Sequence, residues 1–104
     1  MNAAKRKRLE KAGWKVGTAQ EFLGLSDEEW SLIEVKIALA AKLRQCRAAR
    51  DISQVALAAR IGSSQSRVAK MEKGDPTVSI DLLLRALLAA GASRKEVAKA
   101  IAAA

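Results

Sequence analysis

Histidine and tyrosine are absent from the chain, cysteine and proline occur once each, and aromatic residues make up 3% of its 104 positions. Each shortage closes off a class of function. Nucleophilic catalysis usually needs an imidazole or an activated thiol, and a structural zinc site draws on several cysteines and histidines. No catalytic residue, metal site or intrachain disulfide is therefore expected. Cys46 falls on an apolar helical stripe and reads as a small core residue. Ser63, Ser64 and Ser66 cluster, but no glycine-rich phosphate loop or paired-carboxylate spacing accompanies them, and the acids of residues 21–34 occupy helix-start positions. The chain is expected to be neither an enzyme nor a cofactor carrier. Long apolar runs are missing too. Nothing approaches the roughly twenty residues of a membrane span, and no basic helix with a bulky apolar face and no lipid signal is present. The N-terminal stretch is basic where a secretory signal would be apolar, so a cytoplasmic protein is expected.

What the chain does have is helix-forming material and positive charge. Half of its residues are hydrophobic, with alanine and leucine dominant. No stretch sustains the alternation of β-branched and polar residues that a strand needs, so the fold reads as all-α. The length suits one modest core. The net charge of +8 is unevenly spread: residues 1–15 hold six bases and one acid, residues 16–35 five acids and no base, and residues 36–73 nine bases and two acids. A basic block of that kind fits a polyanion partner, because neutralising phosphates releases counterions.

Within the block, residues 53–74 read SQVALAARIGSSQSRVAKMEKG. A first helix is predicted over Gln54–Ile61, with Val55, Ala58 and Ile61 on its inner face and Gly62 where a helix stop needs positive φ. A second restarts at once behind Ser64 as N-cap. Two helices joined by a short glycine-containing turn describe a helix-turn-helix, whose second helix enters the DNA major groove. At about 100° per residue, Gln65, Ala69, Lys73, Ser66 and Lys70 share one arc of that helix, while Val68 and Met71 point the other way. Glutamine can pair with adenine, serine with several base edges, an alanine methyl with thymine, and lysine with guanine or phosphate. Arg67 lies at the edge of the arc, within reach of base or backbone. The alternative is a solvated basic face.

The flanking residues favour recognition. Ile52, Ser53, Gln54, Leu57, Ala58, Ile61, Gly62, Ser64, Val68, Glu72, Lys73 and Gly74 stand in the register of the lambda-repressor-like, Xre-type helix-turn-helix family, and the chain resembles that family from Leu43, Arg44 and Arg47 to beyond Pro76. The resemblance implies a helix-turn-helix bundle of about five helices. It also implies that Gln54 braces the DNA backbone and Gln65, and that Arg47 pairs with Glu72. The expected DNA-binding set is Arg44, Gln54, Ser64, Gln65, Ser66, Arg67, Ala69, Lys70 and Lys73. The Arg47 pairing also has a physical motive, since Glu72 sits in the last turn of a helix, where the macrodipole disfavours a negative charge. The alternative leaves Glu72 exposed and Arg47 on phosphate.

Residues 1–25 read as a basic and apolar extension and residues 26–104 as the DNA-binding domain. Lys5–Arg8 are either an arm along DNA or a solvated end. Capping-box patterns start at Thr18 and Ser26. A long helix is expected from Asp27 to about Arg50 with two apolar stripes. Leu32, Val35, Leu39, Leu43 and Cys46 are assigned to the helix-turn-helix core. Trp30, Ile33, Ile37 and Ala40 are to be covered by Trp14, Phe22 and Leu25 or by a second subunit. After Pro76, Ser79 caps a leucine-rich helix stopped by Gly91, and Ser93 opens a last one with Val97 and Ile101. The leucines are more than one small core consumes, which favours a homodimer on two half-sites of double-stranded DNA and hence a repressor. The layout GWKVGTAQEFLGLSDEE ahead of the motif also resembles HigA-like antitoxins. That implies, as the alternative, a partner that is a basic protein toxin, facing the acids of Glu21–Glu34, together with autoregulation of the operon.

Overall fold

The computed structural model describes residues 18–104. Six helices follow one another there: α1 Thr18–Leu23, α2 Asp27–Ala49, α3 Gln54–Ile61, α4 Gln65–Glu72, α5 Ile80–Ala89 and α6 Arg94–Ala102, with no strand among the described residues. The start of each helix from α2 onward is written in one residue type. Ser26, Ser53, Ser64, Ser79 and Ser93 are extended N-caps, and each side-chain oxygen accepts a hydrogen bond from the backbone N–H three residues on. Such a cap contributes about 1 kcal/mol. At Ser26 the bond is reciprocated, because Glu29 Oε1 accepts from the serine N–H at 3.0 Å. The N-terminal Lys5–Arg8 and Trp14 lie outside the described residues.

Five of the six described helices stop on left-handed backbone, at Gly24, Asp51, Gly62, Gly74 and Gly91. Gly62 ends α3 at φ 63°, and the N–H of Ser63 returns to the carbonyl of Ala58 at 2.8 Å. After α2 the same conformation falls on Asp51 at φ 56°, with Asp51 N–H bonded to the Ala48 carbonyl and Ile52 N–H to the Arg47 carbonyl. This is a helix-closing motif normally built on glycine.

The core joins Leu39, Leu43 and Cys46 of α2, Leu57, Ala58 and Ile61 of α3, Val68 and Met71 of α4, Leu83, Ala86 and Leu87 of α5, and Val97 of α6. The long α2 packs against α4, α5 and α6, and α3 packs against α4 and α5. Two arginines close the C-terminal end of α5: Arg60 donates to the Ala89 carbonyl at 3.2 Å and Arg50 to the Gly91 carbonyl at 2.9 Å. Gly91 is left-handed at φ 96°, and a Cβ there would lie 2.6 Å from Arg50 Nε, so the arginine side chain would have to shift.

Three expectations are corrected. Val55 is 65% exposed, and the inner face of α3 is Leu57, Ala58 and Ile61. At about 100° per residue Val55 lies more than 100° from the centre of that arc, which Gln54 shares. Leu32 is 52% exposed, whereas Val35 is partly buried against the core and Leu39 is fully buried, so the core starts about a turn later than the stripe suggested. Phe22 is 86% exposed and does not cover the second stripe. Part of that stripe meets the turn after α4 instead: a Cβ on Gly74 would be in van der Waals contact with Ile37 and Ala40, and Lys36 Nζ donates to the Pro76 carbonyl at 3.3 Å. No helix among the described residues is long and apolar enough to cross a membrane.

Candidate nucleic-acid interface

The orientation of α4 is set by what it hides. Val68 and Met71 are completely buried, and they anchor the helix on the core. The opposite side carries Gln65, Ser66, Arg67, Lys70 and Lys73, all exposed, with Ala69 half-buried at its margin. Ser64 is exposed at the N-terminal end of α4, where its Oγ accepts from Arg67 N–H at 3.2 Å and lies 3.3 Å from Ser66 Oγ. Arg44 is exposed on α2, and Gln54 is half-buried at the start of α3.

Behind this face lies the one buried charged residue of the described chain, Glu72, 5% exposed. Arg47 grips it with two bonds, Nε to Oε2 at 2.6 Å and Nη2 to Oε1 at 3.0 Å, and its remaining Nη1 donates to the Ile52 carbonyl at 2.9 Å. Paired forks of this kind are the strong form of ion pair. Burial is the largest single influence on the Glu72 carboxyl and favours its neutral form. The hydrogen bonds from Arg47 and Gln54, with the charges of Arg47 and Arg44, together outweigh it and hold the group below the usual glutamate value. Gln54 Nε2 donates to Glu72 Oε1 at 3.2 Å, and Gln65 Nε2 donates to Gln54 Oε1 at 2.6 Å. An unbroken line therefore runs from the buried pair to the exposed face.

Beside α4 a shallow polar cleft is lined by Ser64, Ser66, Arg67, Lys70, Thr77 and Val78. Two cations and three hydroxyls at one edge suit phosphate oxygens. Asp75 stands nearby, but Thr77 ties it through both its hydroxyl, at 2.6 Å, and its N–H, at 2.8 Å. Those two bonds, the hydroxyl's the larger, together with the Lys70 charge hold the Asp75 carboxyl below its usual value against a small opposing burial. Thr77 was not among the sequence-predicted residues; the Asp-Pro-Thr turn was its only signal. Conversely, Arg50 and Arg60, part of the basic block, are committed to the end of α5. Among the described residues no group of three or more histidine, cysteine or acidic side chains could hold a metal ion.

A family described as a helix-turn-helix domain matches residues 38–100, well over half of the chain. The chain belongs to that family, a DNA-binding and typically non-enzymatic class, and the matched span contains α3, the turn at Gly62 and α4. No curated protein and no solved structure matches it.

Proposed function

We propose that the protein is a transcriptional repressor of the Xre type that binds double-stranded DNA sequence-specifically, as a homodimer on a palindromic operator. The observation that carries this reading is the division of α4, with its two bulky apolar residues buried and Gln65, Ser66, Arg67, Lys70 and Lys73 left together on the open side. In this reading Gln65, Ser66 and Ala69 meet base edges, while Arg67, Lys70 and Lys73, with Ser64 and Arg44, meet bases or phosphates along the groove. Gln54 braces Gln65, and the Arg47–Glu72 pair is structural. One recognition helix spans only a few base pairs, so a symmetric pair is needed for a site of useful length. Leu88 and Ile101 are apolar and exposed, and they are candidates for the contact.

Duplex selection followed by titration tests the reading. Gln65→Ala is expected to lose preference at one position of each half-site, and Lys70→Ala to reduce the salt slope of binding by about one. Equal losses for Gln65→Ala on cognate and random duplex would reject its base-reading role.

A second reading is favoured by one observation. Phe22, Leu23 and Leu32 are exposed, as are Glu21, Asp27 and Glu28, in the segment that precedes the matched family span. That mixture of apolar and acidic side chains suits a basic protein, as in an antitoxin that also represses its own operon. Co-purification with the product of a neighbouring gene, lost in Phe22→Glu, is the expected result under that reading; promoter binding without any such partner would leave only the first.

A further inference from the structure

Glu72 ends α4 and is buried, yet a single side chain, that of Gln54, joins it to the exposed Gln65. Each link in that line has a direction set by chemistry. An ionised carboxylate only accepts hydrogen bonds. Gln54 must therefore turn its amide nitrogen toward Glu72 Oε1, 3.2 Å away, because its oxygen there would oppose two acceptors. The Gln54 oxygen then faces Gln65, which has to donate across the 2.6 Å contact. Arg47 leaves the carboxylate no freedom to turn, since both oxygens are held by its fork and the third guanidinium contact is fixed on the Ile52 carbonyl. What remains on Gln65 for a ligand is its carbonyl oxygen and one N–H.

We propose that Glu72, clamped by Arg47, is a positioning residue for base selection: through Gln54 it sets which way round the Gln65 amide is presented, and so favours adenine over guanine. Adenine offers a donor beside an acceptor in the major groove, the complement of the free Gln65 edge, whereas guanine offers two acceptors. The inference rests on α4 being the recognition helix, and its test separates the two claims.

Duplexes carrying every base at each operator position are titrated against the full chain and against Gln65→Ala, Gln54→Met and Glu72→Gln. The wild-type chain is expected to prefer adenine at one position per half-site, and Gln65→Ala to abolish that preference. Gln54→Met keeps the buried ion pair but breaks the line, and the adenine-over-guanine ratio at that position is expected to fall about tenfold with the other positions unchanged. Glu72→Gln has the same effect, because a neutral amide can face Gln54 with either end; should it fail to fold, Gln54→Met decides. An unchanged ratio in Gln54→Met, an equal loss on every duplex, or guanine preferred at the Gln65-dependent position overturns the proposal while leaving sequence-specific binding intact. A wild-type chain that binds all duplexes alike overturns the recognition-helix reading itself.

Discussion

Arg47 and Glu72 show how one pair of side chains can hold two helices in register. Removing one partner strands the other in the interior, and Arg47→Ala is expected to cost about 3 kcal/mol in urea denaturation at neutral pH. The pair also gives stability an acid limb. The folded-state pKa of Glu72 is depressed, so the native state holds fewer protons than the unfolded chain over the interval between the two values. Its contribution is fully present above the unfolded carboxyl value and is lost as pH falls through the folded one. Glu29, depressed by its bonds to the Ser26 backbone and side chain, and Asp75 act in the same sense. Stability measured from pH 7 into the acid range is expected to fall less steeply in Glu72→Gln than in wild type; an identical limb in both would contradict this account. The pairing was implied by the resemblance to the Xre-type family, and a carboxylate at the end of a helix gives it a physical motive. Which cation it meets depends on α2 lying across α4.

Among the elements, the short α3 separates what periodicity can and cannot decide. Gly62 marks its end in the sequence, and the structure ends it at Ile61 and caps its start with Ser53. Its inner face was less legible, because Val55, Leu57, Ala58 and Ile61 admit two neighbouring arcs in only eight residues, and the choice depends on where α5 packs. Val55→Gln is expected to change stability by no more than about 0.5 kcal/mol, whereas Leu57→Ala should cost about 3 kcal/mol, both read from denaturant midpoints. The end of α2 offers a gain. Asp51 holds a left-handed φ of 56° and is exposed, so Asp51→Gly is expected to stabilise the chain by up to about 1 kcal/mol. A lower midpoint in that variant would mean that the Asp51 side chain contributes more than its backbone conformation costs.

For the molecule as a whole, charge and apolar surface are divided by position. Arg67 and Lys70 of α4 line the polar cleft, while Arg50 and Arg60 of the same basic block serve the fold. Leu88 and Ile101 stay exposed although the helices carrying them close the core. If they form the dimer contact, Leu88→Lys is expected to shift sedimentation toward the monomer and to weaken binding to a two-half-site operator far more than to a single half-site. Unchanged sedimentation would move the contact elsewhere on the surface.

Helix ends, the all-α class and the helix-turn-helix unit were readable without coordinates, because each rests on local chemistry. Serine hydroxyls compete for orphan N–H groups within three residues, glycine alone enters left-handed backbone freely, and apolar spacing near 3.6 residues repeats within a single helix. Other features belong to the tertiary structure, since they depend on which elements approach one another. The exposure of Phe22 and Leu32, the covering of Ile37 by the turn at Gly74, the diversion of Arg50 and Arg60 to the end of α5, and the bond from Gln54 to Glu72 all depend on residues whose proximity no local pattern records. A side chain's partner across 18 or 25 positions is settled by packing, and packing is a property of the whole fold.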